Sequence, residues 1–313
     1  MLASPIKEGV GPMTQGRHLI IVNPQAKHGE ADKLTPVIEN LLARLPHDTV
    51  ETESPGHAVS IAAAATGYDV VVAVGGDGTV HEVLNGLMRQ PAESRPALAV
   101  LPTGSGNDTC RTLGIPFDIS DAAMLLSTGQ RRRYDVGSCN GIYFNNSFAA
   151  GLDAKVTAKA VEYKITKRRS GLWLYLTALM HVLFKDLDAF DVHLGFDGAE
   201  PEATRTLIIA VTNGATYGGG FKITPDADPV DGLFDVCMID ELGLAEALWR
   251  LPFVVAGKHT KMPVVHMSRH TSATISSEVP LPAQLDGEVL LETRYELAML
   301  PSAIECVVPR RDS

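Results

Sequence analysis

Between residue 18 and about residue 135, apolar strand-like segments alternate with segments of helical periodicity, and this alternation restricts the fold more than any other feature. HLIIVNP (18–24) is typical of a short buried strand, whereas DKLTPVIENLLARL (32–45) places its aliphatic residues at helical spacing. The alternation continues through the strand-like segment ALAVLP (97–102). Strands that alternate with helices are typical of βαβ units. We therefore predict an N-terminal α/β domain with a mostly parallel sheet.

The chain changes character after residue 135, because short strand-like segments then follow one another with few helices between them. Only the segments near 160–185 and 243–258 read as helices, which indicates a domain of mostly antiparallel β structure. The last strand-like segment, YELAMLPSAIECVVP, is expected to return to the first domain. The predicted domains are residues 1–135, completed by about 300–313, and residues 136–299.

Length and charge limit the functional class. With 313 residues the chain can form two compact domains. Its 27 Lys and Arg residues against 37 Asp and Glu residues give a net charge of −10, which disfavours nonspecific binding of nucleic acid. The four cysteines are far apart, so we expect a reducing, cytoplasmic compartment without a disulfide framework. The opening segment MLASPIKEGVGPMTQG lacks the apolar core of a signal peptide and is expected to be a loose leader.

The segment VVAVGGDGTVHEVLNG (71–86) joins a buried strand to a helix through three glycines and one carboxylate. A glycine loop that opens a helix directs backbone N–H groups at one point, which suits a phosphate group. A tight βα turn is the alternative interpretation. Asp77 would repel phosphate unless it binds a metal ion or hydrogen-bonds a sugar or water. Thr79 and Glu82 match a capping box, with Thr79 as the predicted N-cap.

The loop after the next strand, LPTGSGND (101–108), repeats this arrangement. Thr103 and Ser105 offer hydroxyl groups, the intervening glycines permit close approach, and Asn107 is a candidate N-cap. Loops of this kind after successive strands together favour a phosphate-binding site. The chain has no GxxxxGK[ST] motif, and no GxGxxG opens its first βα turn.

The most apolar stretch, residues 171–184, would form a helix of about 21 Å, which is shorter than the roughly 30 Å of a bilayer core. It is either a core helix or a surface that rests on a bilayer. The second interpretation uses the apolar side chains of this stretch together with the basic residues before it, which are Lys164, Lys167, Arg168 and Arg169.

Five motifs, in this order, resemble the soluble diacylglycerol kinase family, which includes bacterial diacylglycerol and YegS-like lipid kinases and the sphingosine and ceramide kinases. They are IVNPQAKHG, VVAVGGDGTVHEVLNGL, LPTGSGNDTCRTLGIP, NGATYGGGFKITPDADPVDGLFDV and LDGE. The resemblance covers roughly residues 18–310. It implies an α/β domain like that of NAD kinase and phosphofructokinase, followed by a β-sandwich domain, with the active site between them.

The resemblance also implies residue roles. The implied nucleotide-binding residues are Asn23, Gln25, Thr52, Gly75, Gly76, Asp77, Gly78, Thr79, Val80, His81, Thr103 and Ser105. The implied metal loop uses Asp231 with the backbone oxygens of Asp228 and Leu233. The resemblance also implies a network in which Asp135, Asp77 and Asp286 hold Mg²⁺. The implied catalytic residues are Glu288 as proton acceptor, Asp286 and Asp77. Read without the resemblance, the Asp-Gly pairs at 231–232 and 286–287 are turns between strands.

The implied activity is transfer of the ATP γ-phosphoryl group to a lipid hydroxyl in a Mg²⁺-dependent in-line reaction. The lipid acceptor implies transient contact with a membrane surface, at the inner face. NAD kinase-like or phosphofructokinase-like phosphorylation of a soluble substrate and a non-catalytic nucleotide- or lipid-responsive regulator are the alternatives. The identity of the lipid, the choice of triphosphate, the catalytic base (Glu288 or Asp286) and the oligomeric state, a homodimer included, stay open.

Overall fold

A computed structural model describes residues 16–24, 31–167 and 172–310. Of the residues singled out above, Gln25, Arg168 and Arg169 lie outside these ranges. The side chains of Lys164 and Lys167 are likewise outside the description.

The N-terminal half alternates strands and helices as its periodicity predicts. Its elements are β1 (His18–Val22), α1 (Ala31–Leu42), β2 (His47–Glu51), α2 (His57–Ala63), β3 (Val70–Gly75), α3 (Asp77–Leu87), β4 (Ala97–Pro102), α4 (Asp108–Leu113) and α5 (Ile119–Thr128). The strands pair in parallel in the order β2-β1-β3-β4, and β1, β3 and β4 are buried along their whole length. This pairing confirms the predicted parallel sheet. Its strands are nearly continuous apolar runs because both of their faces are covered.

The C-terminal half is built mainly from antiparallel strands. Its elements are β5 (Gln130–Cys139), β6 (Ile142–Phe144), β7 (Ser147–Gly151), α6 (Leu152–Lys167), α7 (Leu172–Lys185), β8 (Phe190–Phe196), β9 (Glu202–Thr212), β10 (Phe234–Asp240), α8 (Leu244–Val255), β11 (Val265–His270), β12 (Ser272–Leu285) and β13 (Glu288–Val308). The helix expected near 160–185 corresponds to α6 and α7, and α6 begins earlier, at Leu152. The α/β domain followed by a β-rich domain confirms the predicted fold class.

The last strand, β13, connects the two halves. It pairs antiparallel with β12 and β5, and near its end Cys306 lies opposite Leu98 of β4 in parallel register. Its final apolar side chains belong to the N-terminal core. The N-terminal sheet is therefore extended by the end of the chain.

Three helices cover one side of the C-terminal sheet. Buried side chains of α6, α7 and α8 pack with those of β9 and β10 in a cluster separate from the strand-lined core around Phe144 and Phe234. Those two rings stack with their centroids 5.7 Å apart. No helix of the described residues is long and apolar enough to cross a membrane.

The predicted capping box is wrong. The N-cap of helix α3 is Gly76, three residues before Thr79, and the helix begins at Asp77 without a side-chain hydrogen bond at its cap. The hydroxyl of Thr79 instead accepts a hydrogen bond from Asn23 Nδ2 at 2.9 Å. The Glu82 carboxylate accepts N–H bonds from Gly56 (2.9 Å) and Ala58 (3.2 Å), so it satisfies the start of α2 rather than that of its own helix. This leaves the positive end of α3 without a side-chain partner at its cap position.

Asn107 does take the N-cap position of α4, but its side chain does not cap the helix. Its Nδ2 donates to the carbonyl oxygen of Gly104 at 3.1 Å, and its backbone is left-handed with φ 54°. The asparagine thus stabilises the loop before the helix, and the predicted cap bond is absent.

Candidate active site

The two glycine loops contact each other at the carboxyl ends of β3 and β4. The Thr103 N–H donates to the Gly75 carbonyl oxygen at 2.9 Å. A Cβ on Gly76 would lie 3.1 Å from the Gly104 Cα, and a Cβ on Gly104 would overlap Gly76. A Cβ on Gly75 would overlap the Thr79 side chain. These glycines are therefore required by the packing of the loops on one another.

Packing against neighbouring residues does not require a glycine at position 78. A Cβ there would meet only Glu288 Oε1, at an ordinary 3.6 Å, and its φ lies outside the left-handed region. Since Gly78 lies in the first turn of α3, its missing side chain keeps the backbone open to the space beside Glu288. Glu288 is exposed and lies at the start of β13, across from this helix.

Two carboxylates lie on either side of Gly106. A Cβ built on Gly106 would lie 2.7 Å from Asp77 Oδ2 and 3.7 Å from Asp108 Oδ2. Asp77 Oδ1 accepts the Thr109 N–H at 3.1 Å, and Asp108 Oδ2 accepts the Gly219 N–H at 2.7 Å. The two acids are thus held close together by backbone donors from different loops.

The environment of this pair disfavours two full negative charges. Burial and the charge of Asp286 raise the pKa of Asp77, against the hydrogen bond from Thr109. Burial and the charge of Asp77 raise the pKa of Asp108 to about 6. The Arg111 guanidinium lies 3.5 Å from Asp108 Oδ1 and compensates it only in part. Neighbouring acids with raised pKa values fit a cation that binds oxygen ligands.

Asp286 lies in the hairpin turn between β12 and β13, which the Asp-Gly pair predicts. Asp286 and Gly287 have φ values of 48° and 95°, and Leu285 pairs with Glu288. The Asp286 carboxylate accepts backbone N–H bonds from residues 145, 146 and 147 at 2.9–3.1 Å. Its oxygens are therefore already engaged by the turn before β7.

His81 joins this hairpin to the N-terminal domain. Its Nδ1 lies 3.3 Å from Asp286 Oδ2, and its Nε2 lies 3.3 Å from Asn85 Nδ2. Burial opposes the charged imidazole, but the hydrogen bond and the charge of Asp286 raise the pKa of His81 on balance. The contact places α3 and the hairpin on opposite sides of one cleft.

The other predicted nucleotide-binding residues lie at the carboxyl ends of the parallel strands. Asn23 follows β1, Thr52 follows β2, and the Thr52 N–H donates to Val22 at 2.9 Å. The Thr103 hydroxyl is buried without a hydrogen-bond partner among the described residues, and Ser105 is exposed at the tip of its loop. Val80 is buried in α3 and offers only its backbone. Strand ends of this kind are the usual ligand position in parallel sheets.

The predicted metal residues form a separate group. Asp135 Oδ1 accepts the Ser302 N–H and its Oδ2 accepts the Gly232 N–H, each at 2.7 Å. Asp231 Oδ1 accepts the Leu233 N–H at 3.0 Å, and its Oδ2 lies 3.6 Å from Arg269 Nη1. The Asp228 carbonyl accepts the Asp231 N–H at 3.3 Å. The structure therefore places Asp135 against this loop, not beside Asp77 and Asp286 in the cleft.

Across the residues that the structure describes, no group of three or more His, Cys, Asp or Glu side chains has the arrangement of a metal-ion site. The role of the loop around Asp231 stays a prediction.

A cavity of about 150 Å³ opens from the cleft into the C-terminal domain. Asp77, Asp108 and Asp286 contribute to its polar wall. Most of its remaining lining is apolar and comes from α6, α7, α8 and the strands under them, with Leu179 and Leu251 as examples. A chamber with carboxylates on one side and aliphatic walls elsewhere suits an amphipathic molecule.

Helix α7 agrees with the core interpretation of segment 171–184, and its contact with a bilayer stays a prediction. Leu174, Ala178 and Val182 are buried in the core, while Tyr175 lines the cavity. Tyr175 lines the same cavity as Asp77 and Asp108, and burial together with the charges of Asp108 and Asp77 raises the pKa of Tyr175. Trp173 is nevertheless 75% exposed. The helix is thus a core element that also presents aromatic surface to solvent.

Sequence reasoning missed Asp108, Tyr175 and Asp153 as site residues. Asp108 was visible in the PTGSGND loop, but the pattern there indicated only a helix start. Tyr175 and Asp153 lie in segments that have no motif, so their place in the cavity wall depends on the packing of α6 and α7.

Comparison with known proteins agrees with this geometry. Residues 17–139 match the diacylglycerol kinase catalytic domain, and residues 146–308 match the YegS C-terminal NAD kinase beta sandwich-like domain. The chain is 31% identical over 277 residues to the diacylglycerol kinase of Staphylococcus saprophyticus, covering 87% of this chain and 88% of the relative.

Solved structures show the same fold. A proposed diacylglycerol kinase from Bacillus anthracis strain Sterne superposes with a TM-score of 0.78 at 27% identity, covering 94% of this chain and 98% of the other. An NAD kinase from Archaeoglobus fulgidus, solved in complex with ATP, has a TM-score of 0.53 at 16% identity, covering 93% of each chain, and shows likeness of fold alone.

The fold and the matches define the class of protein as an ATP-dependent lipid kinase. The chain belongs to the diacylglycerol kinase family.

Proposed function

We propose that this lipid kinase transfers the γ-phosphoryl group of ATP to the hydroxyl group of a diacylglycerol-like lipid held in the cavity. The observation that carries the proposal is the cavity itself, which places the Asp77, Asp108 and Asp286 carboxylates beside an otherwise mostly aliphatic wall. A lipid alcohol has the same division between one polar end and an apolar remainder. A soluble dinucleotide, the substrate class of an NAD kinase, would leave that wall without a partner.

The nucleotide would lie along the carboxyl ends of β1 to β4, with its phosphates at the start of α3. Among the residues that the structure describes, no side chain caps this helix, and Gly78 leaves its first turn open. Backbone N–H groups and the positive end of a helix stabilise phosphate without requiring a basic side chain.

Asp77 and Asp108 are the residues that would hold Mg²⁺, since their carboxylates flank one point beside Gly106. When bound, the ion neutralises phosphate charge. The loop of Asp228, Asp231 and Leu233, with Asp135 against it, is the second candidate, and the family resemblance is its support.

Glu288 is the proposed proton acceptor for the lipid hydroxyl. It is exposed and faces the open side of Gly78, whereas the Asp286 oxygens accept three backbone N–H bonds and lie beside His81. A carboxylate within reach of the hydroxyl takes its proton as the O–P bond forms. Asp286 is then the residue that orients the hairpin carrying the base.

A matched pair of glycine variants tests the proposed phosphate site at the start of α3. Gly78→Ala should raise the KM for ATP at least tenfold, because its methyl group occupies the space reserved for phosphate, while thermal stability is kept or rises slightly since Ala is the better helix former. Gly243→Ala adds a methyl group to open space at the start of α8 and should leave the KM unchanged. The assay follows label from γ-³²P-ATP into organic-extractable product with a panel of lipid alcohols. Label in phosphorylated NAD, or none in lipid, contradicts the proposed function; an unchanged KM in Gly78→Ala contradicts the phosphate site.

The enzyme is proposed to act in the cytoplasm and to meet its lipid at the membrane surface through α7 and α8. Both helices line the cavity and expose large apolar side chains, with Trp173 75% and Phe184 56% exposed on α7. On α8, Trp249 and Phe253 form a second exposed aromatic pair. Aromatic side chains are well suited to the headgroup region of a bilayer.

The double variant Trp173→Ser, Phe184→Ser should therefore lower co-sedimentation with phosphatidylcholine–phosphatidylglycerol vesicles at least fivefold, with the melting temperature within a few degrees of wild type. Met124→Ser, which removes an exposed apolar side chain from α5 in the other domain, is the control and should not change sedimentation. Equal sedimentation of the double variant and wild type would exclude α7 as the docking surface.

A further inference from the structure

Asp153 is a half-buried acid with one fully buried carboxyl oxygen, and the proposed reaction does not use it. It lies in the first turn of α6, directly after β7, and contributes to the wall of the cavity. Its Oδ2 has no hydrogen-bond partner among the described residues. An unpartnered buried carboxyl oxygen costs free energy that an apolar side chain at the same position would not.

Among the described residues, no basic side chain is placed to neutralise the carboxyl group of Asp153. Arg250 is the one basic residue among the described residues that line the cavity, and its guanidinium is paired with Glu246 at 2.5 Å. The partners of Asp153 are neutral, namely the Tyr217 hydroxyl and the Gln284 amide. Burial raises the pKa of Asp153 to about 7.

A chain of polar contacts connects Asp153 to the reacting centre. Gln284 Nε2 also donates to Ser147 Oγ at 3.3 Å. The Ser147 N–H donates to Asp286 Oδ1 at 2.9 Å. Asp153 is thus the far end of a polar strip that starts at the hairpin of Asp286 and Glu288 and runs along the cavity wall.

The next residues along the wall are aliphatic. Leu152 and Val156 flank Asp153 on α6, and Leu179 of α7 lines the same cavity. A lipid whose reacting hydroxyl lies at Glu288 and whose chains lie against these side chains would place its remaining headgroup atoms along the strip. The unpartnered oxygen would then be available to the polar part of such a lipid.

We propose that Asp153 is a specificity-determining residue that hydrogen-bonds the headgroup of the acceptor lipid next to its reacting hydroxyl. The inference rests on the proposed function for the choice of ligand, but it concerns binding and not phosphoryl transfer. It gives a role to a carboxyl group that lies next to the aliphatic part of the wall.

The test measures binding and turnover separately, with 1,2-dioctanoylglycerol in detergent micelles as the probe. Asp153→Asn keeps size and polarity but changes the hydrogen-bonding capacity of the unpartnered atom. We expect the Kd for the lipid to rise at least tenfold and the KM for the lipid to rise to the same extent. The KM for ATP should stay within twofold of wild type. Asp197→Asn, which breaks contacts with His270 and Thr271 at a turn outside the cavity, is the control for loss of structure and should keep both constants.

The outcomes separate the two proposals. A wild-type protein that binds the lipid without phosphorylating it contradicts the proposed function and leaves the binding comparison to decide on Asp153. An equal Kd in wild type and Asp153→Asn, or no binding of the probe by wild type, overturns the inference. Parallel increases in the KM of both substrates would assign Asp153 a structural role and overturn it as well.

Discussion

Replacement of Asp77 by Asn is expected to reduce kcat at least a thousandfold without loss of stability. The carboxylate lies at the start of α3, within the group formed with Asp108 and Asp286, and the proposed cation binding depends on its charge. Its pKa is raised by burial and by Asp286, so the charge itself destabilises the folded protein, and the neutral amide can keep the bond from Thr109. The melting temperature should be unchanged or higher. Turnover by label transfer and unfolding by calorimetry measure the two effects.

The control for Asp77→Asn has the opposite expected behaviour. The Asp118 side chain caps α5 by accepting the N–H groups of Ser120 and Asp121, at 2.9 and 3.1 Å. Asp118→Ala should cost about 1 kcal/mol of stability and leave turnover unchanged, because α5 lies outside the site. Near-normal turnover in Asp77→Asn would remove Asp77 from the mechanism, and a large loss of its stability would reassign it to the fold.

The parallel sheet and the order of its elements could be predicted because they follow from local sequence. β1, β3 and β4 are mostly apolar runs, and the glycine loops that end β3 and β4 are visible as interruptions of the pattern. The Asp286–Gly287 turn is local for the same reason, since two residues with positive φ select a tight hairpin. These predictions needed no knowledge of distant parts of the chain.

The capping box failed because its pattern does not specify which helix the glutamate serves. The spacing from Thr79 to Glu82 is identical whether Glu82 bonds its own helix or the neighbouring α2, and only the packing of α2 on α3 decides between them. Asp108 was not identified as a site residue from the sequence for a similar reason. Its partner Gly219 lies 111 positions further along the chain, so no local pattern could reveal that the acid lines the cleft.

The glycines of the GGDG loop show how packing divides a motif between structure and function. The sequence alone leaves the same two interpretations for all of them, a phosphate site or a tight βα turn. The structure assigns Gly75 to the space of the Thr79 side chain and Gly76 to contact with Gly104, and it leaves Gly78 as the glycine that opens toward Glu288. The proposed functional residues of the motif are therefore Asp77 and Gly78, and a sequence pattern cannot distinguish Gly78 from Gly75 and Gly76.

The second large expected effect is a pH dependence of stability that arises from Asp153. Burial raises its pKa from a usual 3.8 to about 7. Between these values the unfolded chain releases the proton while the folded chain keeps it, so the stability of wild type falls as the pH rises, and the penalty is constant above pH 7. Asp153→Asn does not titrate. Its stability advantage over wild type should be negligible at pH 4 and reach at most about 4 kcal/mol at pH 8, from about 1.4 kcal/mol for each pKa unit.

Asp197 supplies a control of opposite sign for this measurement. The hydrogen bond from His270, with further bonds from Thr271 and Ser272, holds the pKa of Asp197 below its usual value. Its contribution to stability is therefore present above about pH 4 and lost as the pH falls, so Asp197→Asn should be less stable than wild type at pH 8 and approach it in acid. Urea unfolding of the three proteins from pH 2 to pH 8 measures all the curves under one set of conditions, because the Asp197 contribution is lost only below about pH 4. If the difference between Asp153→Asn and wild type stays constant over this range, the Asp153 carboxyl titrates alike in the folded and unfolded chains, and its burial in the cavity wall is not the cause of any change in stability.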